Sequence, residues 1–152
     1  MWAGVKPENI SANWAMIEPL VEKALAQTRG EMTPRDVYIE LLAGNWGLWI
    51  VGKDAKNWGI VVTRIYDFFQ KRYCEVLLLA NREGYSLAEM QNEFLPTLAA
   101  FARERECDAL RGVTTRKGFR AAAAHGWKEI YIEMEYDLWA KEAVAAASSP
   151  AR

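Results

Sequence analysis

The side chains able to do chemistry are few, and the promising ones fall within one short stretch. Glu75 is the only carboxylate on an apolar run at residues 72–80, and Arg82, Tyr85 and Ser86 follow in a polar loop around Gly84. These types offer a proton acceptor, an anion partner, a proton donor and a helix cap. Each also has an ordinary structural use: a solvated glutamate on the outer face of a strand, an exposed loop arginine, a tyrosine anchored by its ring. Elsewhere the supply is thin. His125 is the only histidine, and Cys74 and Cys107 are the only cysteines. They lack metal-site spacing, so no metal site of the Cys/His kind is expected. Two thiols cannot build a disulfide framework. Cys74, inside a strand pattern, reads as a buried structural thiol.

These residues need a scaffold, and its size is bounded. A chain of 152 residues is one ordinary domain. It buries about two thirds of the surface its unfolded chain exposes and needs no staples to fold. Its 19 basic and 20 acidic residues leave a net charge of −1. Nucleic-acid binders carry a basic excess or stripe; Arg111, Arg116, Lys117 and Arg120 are too small a cluster for that. No basic segment followed by an apolar run marks a secretory signal. The longest aliphatic run, residues 76–80, is far short of a membrane span. A cytoplasmic protein, or part of something assembled there, is expected.

Apolar spacing supplies the elements. Ser11 can cap a helix through Trp14, Ile17, Leu20, Val21, Ala24 and Leu25, with Gly30 ending it. Pro19 predicts a kink, or a start near Glu18. Thr33, Pro34 and Asp36 start a second helix that ends at Gly44. Residues 46–51, 58–66 and 72–80 read as three antiparallel strands joined by short turns. Ser86 and Glu89 form a capping-box pattern before a long helix containing Pro96. A short strand at 108–114, a short helix at 116–125 closed by Gly126, and an alternating strand at 127–136 complete a domain spanning residues 1–137. Residues 138–152 read as a helical stub and loose tail.

This order resembles the GNAT (Gcn5-related N-acetyltransferase) fold over about residues 10–136, counting a short or missing first strand near residues 2–5. The apolar run at 76–80 followed by Asn81, Arg82, Glu83, Gly84, Tyr85 and Ser86 stands where the family cradles the pyrophosphate of acetyl-CoA. His125, Gly126 and Trp127 resemble the family's Gly-aromatic pair before its last strand. The stretch 116–119 is also similar to small GNAT-like proteins encoded by tailed bacteriophages. Three positions depart from the pattern. Asn81 replaces the Gln/Arg that opens the phosphate loop, Ala122 stands where many members carry a tyrosine acid, and Thr115 stands where an asparagine is often found.

The resemblance implies an α/β (α+β) domain with a twisted, mostly antiparallel sheet and helices on both faces; a ferredoxin-like or other α+β sandwich is the alternative. It implies acetyl-CoA as cofactor, no metal, and a cofactor site at Leu79, Ala80, Arg82, Gly84, Tyr85 and Ser86. Glu75 would be the base, directly or through water, and Tyr85 an acid or a cofactor contact. Two functions stay open. One is an acyl-CoA-dependent N-acetyltransferase; the other is a non-enzymatic GNAT-like protein, such as a phage virion component, working through protein contacts. Leu138, Trp139 and Val144 in the tail are the candidate partner or self-association surface, since tryptophan commonly anchors interfaces. If the chain is phage-encoded, its place is the host cytoplasm or the virion.

Overall fold

A computed structural model describes residues 2–130, 134–136 and 138. Strand β1 (Trp2–Val5) leads through a 3-10 turn (Pro7–Asn9) into α1 (Ile10–Leu25) and α2 (Pro34–Leu42). Then come β2 (Trp46–Gly52), β3 (Trp58–Phe68), β4 (Lys71–Asn81), α3 (Leu87–Glu104), β5 (Ala109–Gly112) and α4 (Arg116–Ala123). The strands lie in one sheet in chain order, β1-β2-β3-β4-β5. The first four are antiparallel neighbours, and β5 lies parallel to β4. A parallel neighbour needs a crossover, which α3 supplies. The meander and its crossover fit the expected α+β sheet and exclude the ferredoxin-like alternative, whose strands do not follow chain order.

Each face of the sheet has its own core. Ile17, Leu20 and Val21 of α1 and Val37 and Leu41 of α2 pack on Leu48, Ile60, Val62, Leu78 and Ala80. On the other face Met90, Phe94, Leu98 and Ala102 of α3 pack on Val51, Val61 and Cys74. The strand residues alternate between these two sets, as a period of two requires. Burying each large side chain is worth about 1.5–3 kcal/mol. On the α3 face Trp49 meets Phe101 edge-on at 4.6 Å and donates its indole N–H to Thr63 Oγ1 at 2.9 Å.

Local chemistry starts two helices as expected. Thr33 and Asp36 cap each other at α2, and Ser86 and Glu89 do the same at α3. The first helix differs. It begins at Ile10, and Ser11 sits inside it, with its hydroxyl 2.9 Å from the Tyr38 hydroxyl of α2. Pro19 lies within one continuous helix. The missing N–H removes one hydrogen bond, but buried Ile17, Leu20 and Val21 pin the helix on both sides of it. The helix stops at Leu25 rather than Gly30, because the Thr28 hydroxyl and N–H both donate to the Leu25 carbonyl. Gly30 (φ +85°) serves the connection to α2.

The strand expected at 127–136 is not seen in its described parts. Residues 127–130 and 134–136 carry no regular structure. Ile130 is 54% exposed and Met134 89% exposed, so the apolar side of that alternation meets no core. Residues 131–133, and the tail residues Trp139 and Val144, lie outside the described residues; Leu138 is exposed.

Candidate functional site

The end of β4 is where the sheet opens. β3 pairs with β4 along its length, but Val62 faces Leu78 while Thr63 faces Val76. Leu77 is thus the extra residue of a β-bulge, which bends and twists its strand. β5 pairs only with Tyr73, Cys74, Glu75 and Val76. Beyond the bulge, residues 77–81 run on without β5 beside them, and no other strand among the described residues pairs with that edge.

The loop after that edge is a tight, locally tied turn. The Arg82 N–H donates to the Trp58 carbonyl at 2.9 Å, and the Tyr85 N–H to the Arg82 carbonyl at 3.3 Å. Gly84 takes φ +84°, which costs glycine nothing and an L side chain about 1–2 kcal/mol. The N–H groups of Glu83 and Gly84 find no acceptor among the described residues. An open groove of about 360 Å³ lies here, lined by Lys23, Asn81 and residues 82–86. Two cations stand on it. Lys23 Nζ donates to the Asn81 carbonyl at 2.5 Å and to Asn81 Oδ1 at 3.2 Å. The Arg82 guanidinium lies 5.6 Å over the Trp58 ring and donates to the Ala55 carbonyl at 3.4 Å.

Acidic groups flank the same groove. Glu83 is exposed in the loop. Glu89 turns back to the Ser86 hydroxyl and N–H, and pairs with Lys53 at 2.7 Å. The hydrogen bond from Lys53, then those from Ser86, hold its carboxyl down at about 2. Its charge is therefore already answered by Lys53, and Glu83 is the anion left facing the groove.

The two residues expected to handle protons sit differently from one another. Tyr85 is only 1% exposed, packed among Val51, Val61, Met90 and Phe94. Among the described residues its hydroxyl makes no hydrogen bond of normal geometry, though the Glu93 carboxylate lies close enough to act on it. Burial, and then the nearby Glu93 carboxylate, push its pKa up to about 12. The loop thus presents the Tyr85 backbone to the groove while the phenol ring packs into the core. Leu79 packs toward α3 and Ala80 is buried toward α1, so these two reach the open edge through their backbone.

Glu75 lies between Cys74 and Val76, which face α3, so its side chain projects to the α1/α2 face. It is not the solvated glutamate of an outer strand. Only 12% of its side chain is exposed, and Oε2 accepts from Arg64 Nε at 2.5 Å across the β3–β4 pair. Around this pair Arg64 lies 5.0 Å over the Tyr66 ring, and Arg111 lies 3.5 Å over Tyr73 and donates to the Tyr66 hydroxyl at 3.4 Å. The carboxylate stands two residues before the bulge at Leu77 and next to Val76, the last residue that β5 pairs.

No family model matches the sequence, and no curated protein matches it. Solved structures do. A predicted acetyltransferase from Clostridium acetobutylicum, solved with acetyl-CoA, aligns over 91% of this chain and 96% of its own at TM-score 0.66 and 12% identity. An aminoglycoside acetyltransferase from an uncultured soil metagenomic sample, solved with sisomicin, aligns over 91% and 95% at TM-score 0.64 and 10% identity. A ribosomal-protein-alanine N-acetyltransferase from Brucella melitensis aligns over 88% and 99% at TM-score 0.57 and 13% identity. The fold is that of the GNAT acetyltransferases.

Within the GNAT fold the departures found in the sequence take physical form. Thr115 caps α4 through its hydroxyl, which accepts from the Gly118 N–H at 3.1 Å, a job an asparagine does equally well. Ala122 offers only its carbonyl, to the His125 and Trp127 N–H groups. Asn81 spends its side chain within the loop, Nδ2 donating to the Tyr85 carbonyl and Oδ1 accepting from Lys23. Cys74 is fully buried and its thiol is pushed up to about 12 by burial, which leaves it inert. Among the described residues no cluster of metal-ligating side chains forms, and no helix is long and apolar enough to cross a membrane. Lys23 and Arg64 are the residues that sequence reasoning missed. A lysine in the last turn of a helix and an arginine on a strand carry no local signal; only the register and the helix packing bring them to Asn81 and Glu75.

Proposed function

We propose that this chain is an acyl-CoA-dependent N-acetyltransferase. The observation that carries the reading is the opened end of β4 in a GNAT fold: a bulge, a strand edge without a β5 partner, and a glycine turn with two unanswered N–H groups beside two cations. The fit to a diphosphate-bearing thioester is chemical. Phosphate oxygens want N–H donors and cations, and the groove offers both. The edge at 77–81 is left to hold the amide-bearing arm of such a cofactor, as strand edges hold extended peptides.

When bound, the thioester supplies the activated acetyl group. The chain supplies position and a proton acceptor. Glu75 stands beside the bulge with Oε2 held by Arg64, so Oε1 is the oxygen left to take a proton from an incoming ammonium, directly or through water. Arg64 fixes the orientation of that carboxylate. Ala122 returns no proton to the leaving thiolate, a job left to water. An acceptor reaches Glu75 from the α1/α2 face, past Tyr66 and Tyr73.

Calorimetry of acetyl-CoA on the purified protein tests the reading, with Gly84→Trp as control. The expected result is micromolar binding that the variant loses, because its side chain must occupy the groove from a backbone held at positive φ. No binding at millimolar cofactor refutes it. The non-enzymatic reading would then take its place, and Ala122 together with the Glu83 charge is what speaks for it.

A further inference from the structure

Asn81 stands where the resemblance calls for a long Gln or Arg, yet its side chain is consumed in place. Nδ2 is tied to the Tyr85 carbonyl and Oδ1 to Lys23. Asn81 is therefore a bracket joining the loop to the last turn of α1. The ammonium it brackets has no carboxylate within pairing distance: the ion pairs among the described residues do not include Lys23, which is held by two neutral oxygens. The other charges near the groove differ in what they meet, and Glu83 is exposed in the loop. Glu89 is matched by Lys53, and Arg82 is drawn over Trp58 toward the β2–β3 turn. Lys23 joins Arg82 as a cation on the groove, its ammonium held by two neutral oxygens.

We propose that Lys23 is a phosphate-binding residue of this site: α1 adds its charge to that of the loop's Arg82 for the cofactor's diphosphate, with Asn81 positioning Lys23. This deepens the acyl-CoA reading and rests on it. A lysine is a compact point charge with three donors. Two of its donors are already used on Asn81, and the third is available to a phosphate oxygen without disturbing them. The structural alternative is that Lys23 only ties α1 to β4, and the two roles separate by salt. A charge acting on a phosphate weakens as ions screen it, whereas a lost tie between elements does not depend on the ligand's charge.

The experiment is acetyl-CoA calorimetry on the full chain, comparing the natural protein with Lys23→Met and Lys23→Arg at about 0.05 M and about 1 M salt. Methionine keeps the apolar stem, and thermal melting checks that each variant is folded. Lys23→Met is expected to bind about tenfold more weakly at low salt, the scale of one charge-assisted hydrogen bond. The gap should narrow to about twofold at high salt, and Lys23→Arg should stay within about twofold of the natural protein throughout. Equal affinity for Lys23→Met overturns the inference and leaves the acyl-CoA reading standing. An equal loss at both salts, with a lowered melting temperature, assigns Lys23 to the structural tie and also overturns it. A natural protein that binds no acetyl-CoA brings down both.

Discussion

Gly59, the second residue of β3, lies directly under the end of β4 and the first turn of α3, so the site's frame is sensitive to one methyl group there. A Cβ at this position would lie 2.4 Å from the Ala80 carbonyl oxygen, 2.8 Å from Met90 Sδ and 3.0 Å from Met90 Cε. Carbon and oxygen normally approach to about 3.3 Å, so something must move by close to an ångström. The oxygen belongs to the backbone of the β3–β4 ladder, where Gly59 faces Asn81 and Ile60 faces Ala80. The Met90 thioether is flexible but fully buried. Overpacking of this kind costs about 1–3 kcal/mol, and the lost freedom of the unfolded chain returns about 0.4–1 kcal/mol. Gly59→Ala should therefore destabilise by about 1–2 kcal/mol, a melting point lower by about 2–8 °C for a domain of this size. Urea unfolding of Gly59→Ala, Met90→Ala and the double variant measures it. The double variant should cost less than the sum of the singles by at least about 0.5 kcal/mol, because shortening Met90 relieves half of the clash. A Gly59→Ala protein within about 0.5 kcal/mol of the natural one, or strict additivity, would refute the reasoning.

Arg64→Met strands the largely covered Glu75 carboxylate; with Arg64 itself half exposed, about 1–2 kcal/mol of stability should go. Adding Glu75→Gln should recover part of that in denaturant unfolding, and no loss in the single variant would contradict the pairing. Tyr85→Phe removes a buried hydroxyl that makes no hydrogen bond of normal geometry among the described residues, so stability should hold or rise by up to about 1 kcal/mol. Acetyl-CoA affinity should be unchanged; a large loss of either would restore the phenol to the site. Glu89 titrates at about 2 in the folded chain against an ordinary 4.5. Because the folded value is the lower one, its stabilising effect is complete above the unfolded value and is lost as pH falls from the one to the other. Acid unfolding should therefore be shallower in Glu89→Gln than in the natural protein between these pH values, and coincident curves would sink the assignment.

What was legible in the sequence is what adjacent residues decide among themselves. The capping boxes at Thr33–Asp36 and Ser86–Glu89 close over three residues, so their side chains announce the helices wherever they are written. The strands of the meander are joined by short turns, one of them tied by Asp54 to the Lys56 and Asn57 N–H groups, and their pairing follows from order alone. The misplaced start of α1 has the same origin in reverse. Ser11 has the type of a cap, but its hydroxyl is engaged with Tyr38, 27 residues away, and no local rule weighs that competition. Tyr85 shows the same dependence: of its two readings, the ring anchor is the one that α3, laid over the loop, provides for.

The site itself is assembled from such distant pairs, which is why only its loop could be read. Lys23 and Asn81 are 58 residues apart and meet because α1 packs across β4. Glu75 and Arg64 meet because the β3–β4 register sets them opposite one another, and the bulge at Leu77 then decides which face the following residues take. A one-residue slip in that ladder would turn Glu75 to the α3 face. The degenerate motif was thus informative in a way the motif alone did not show. The Asn81 side chain meets a lysine from another helix, a partner that the fold, not the sequence neighbourhood, brings to it.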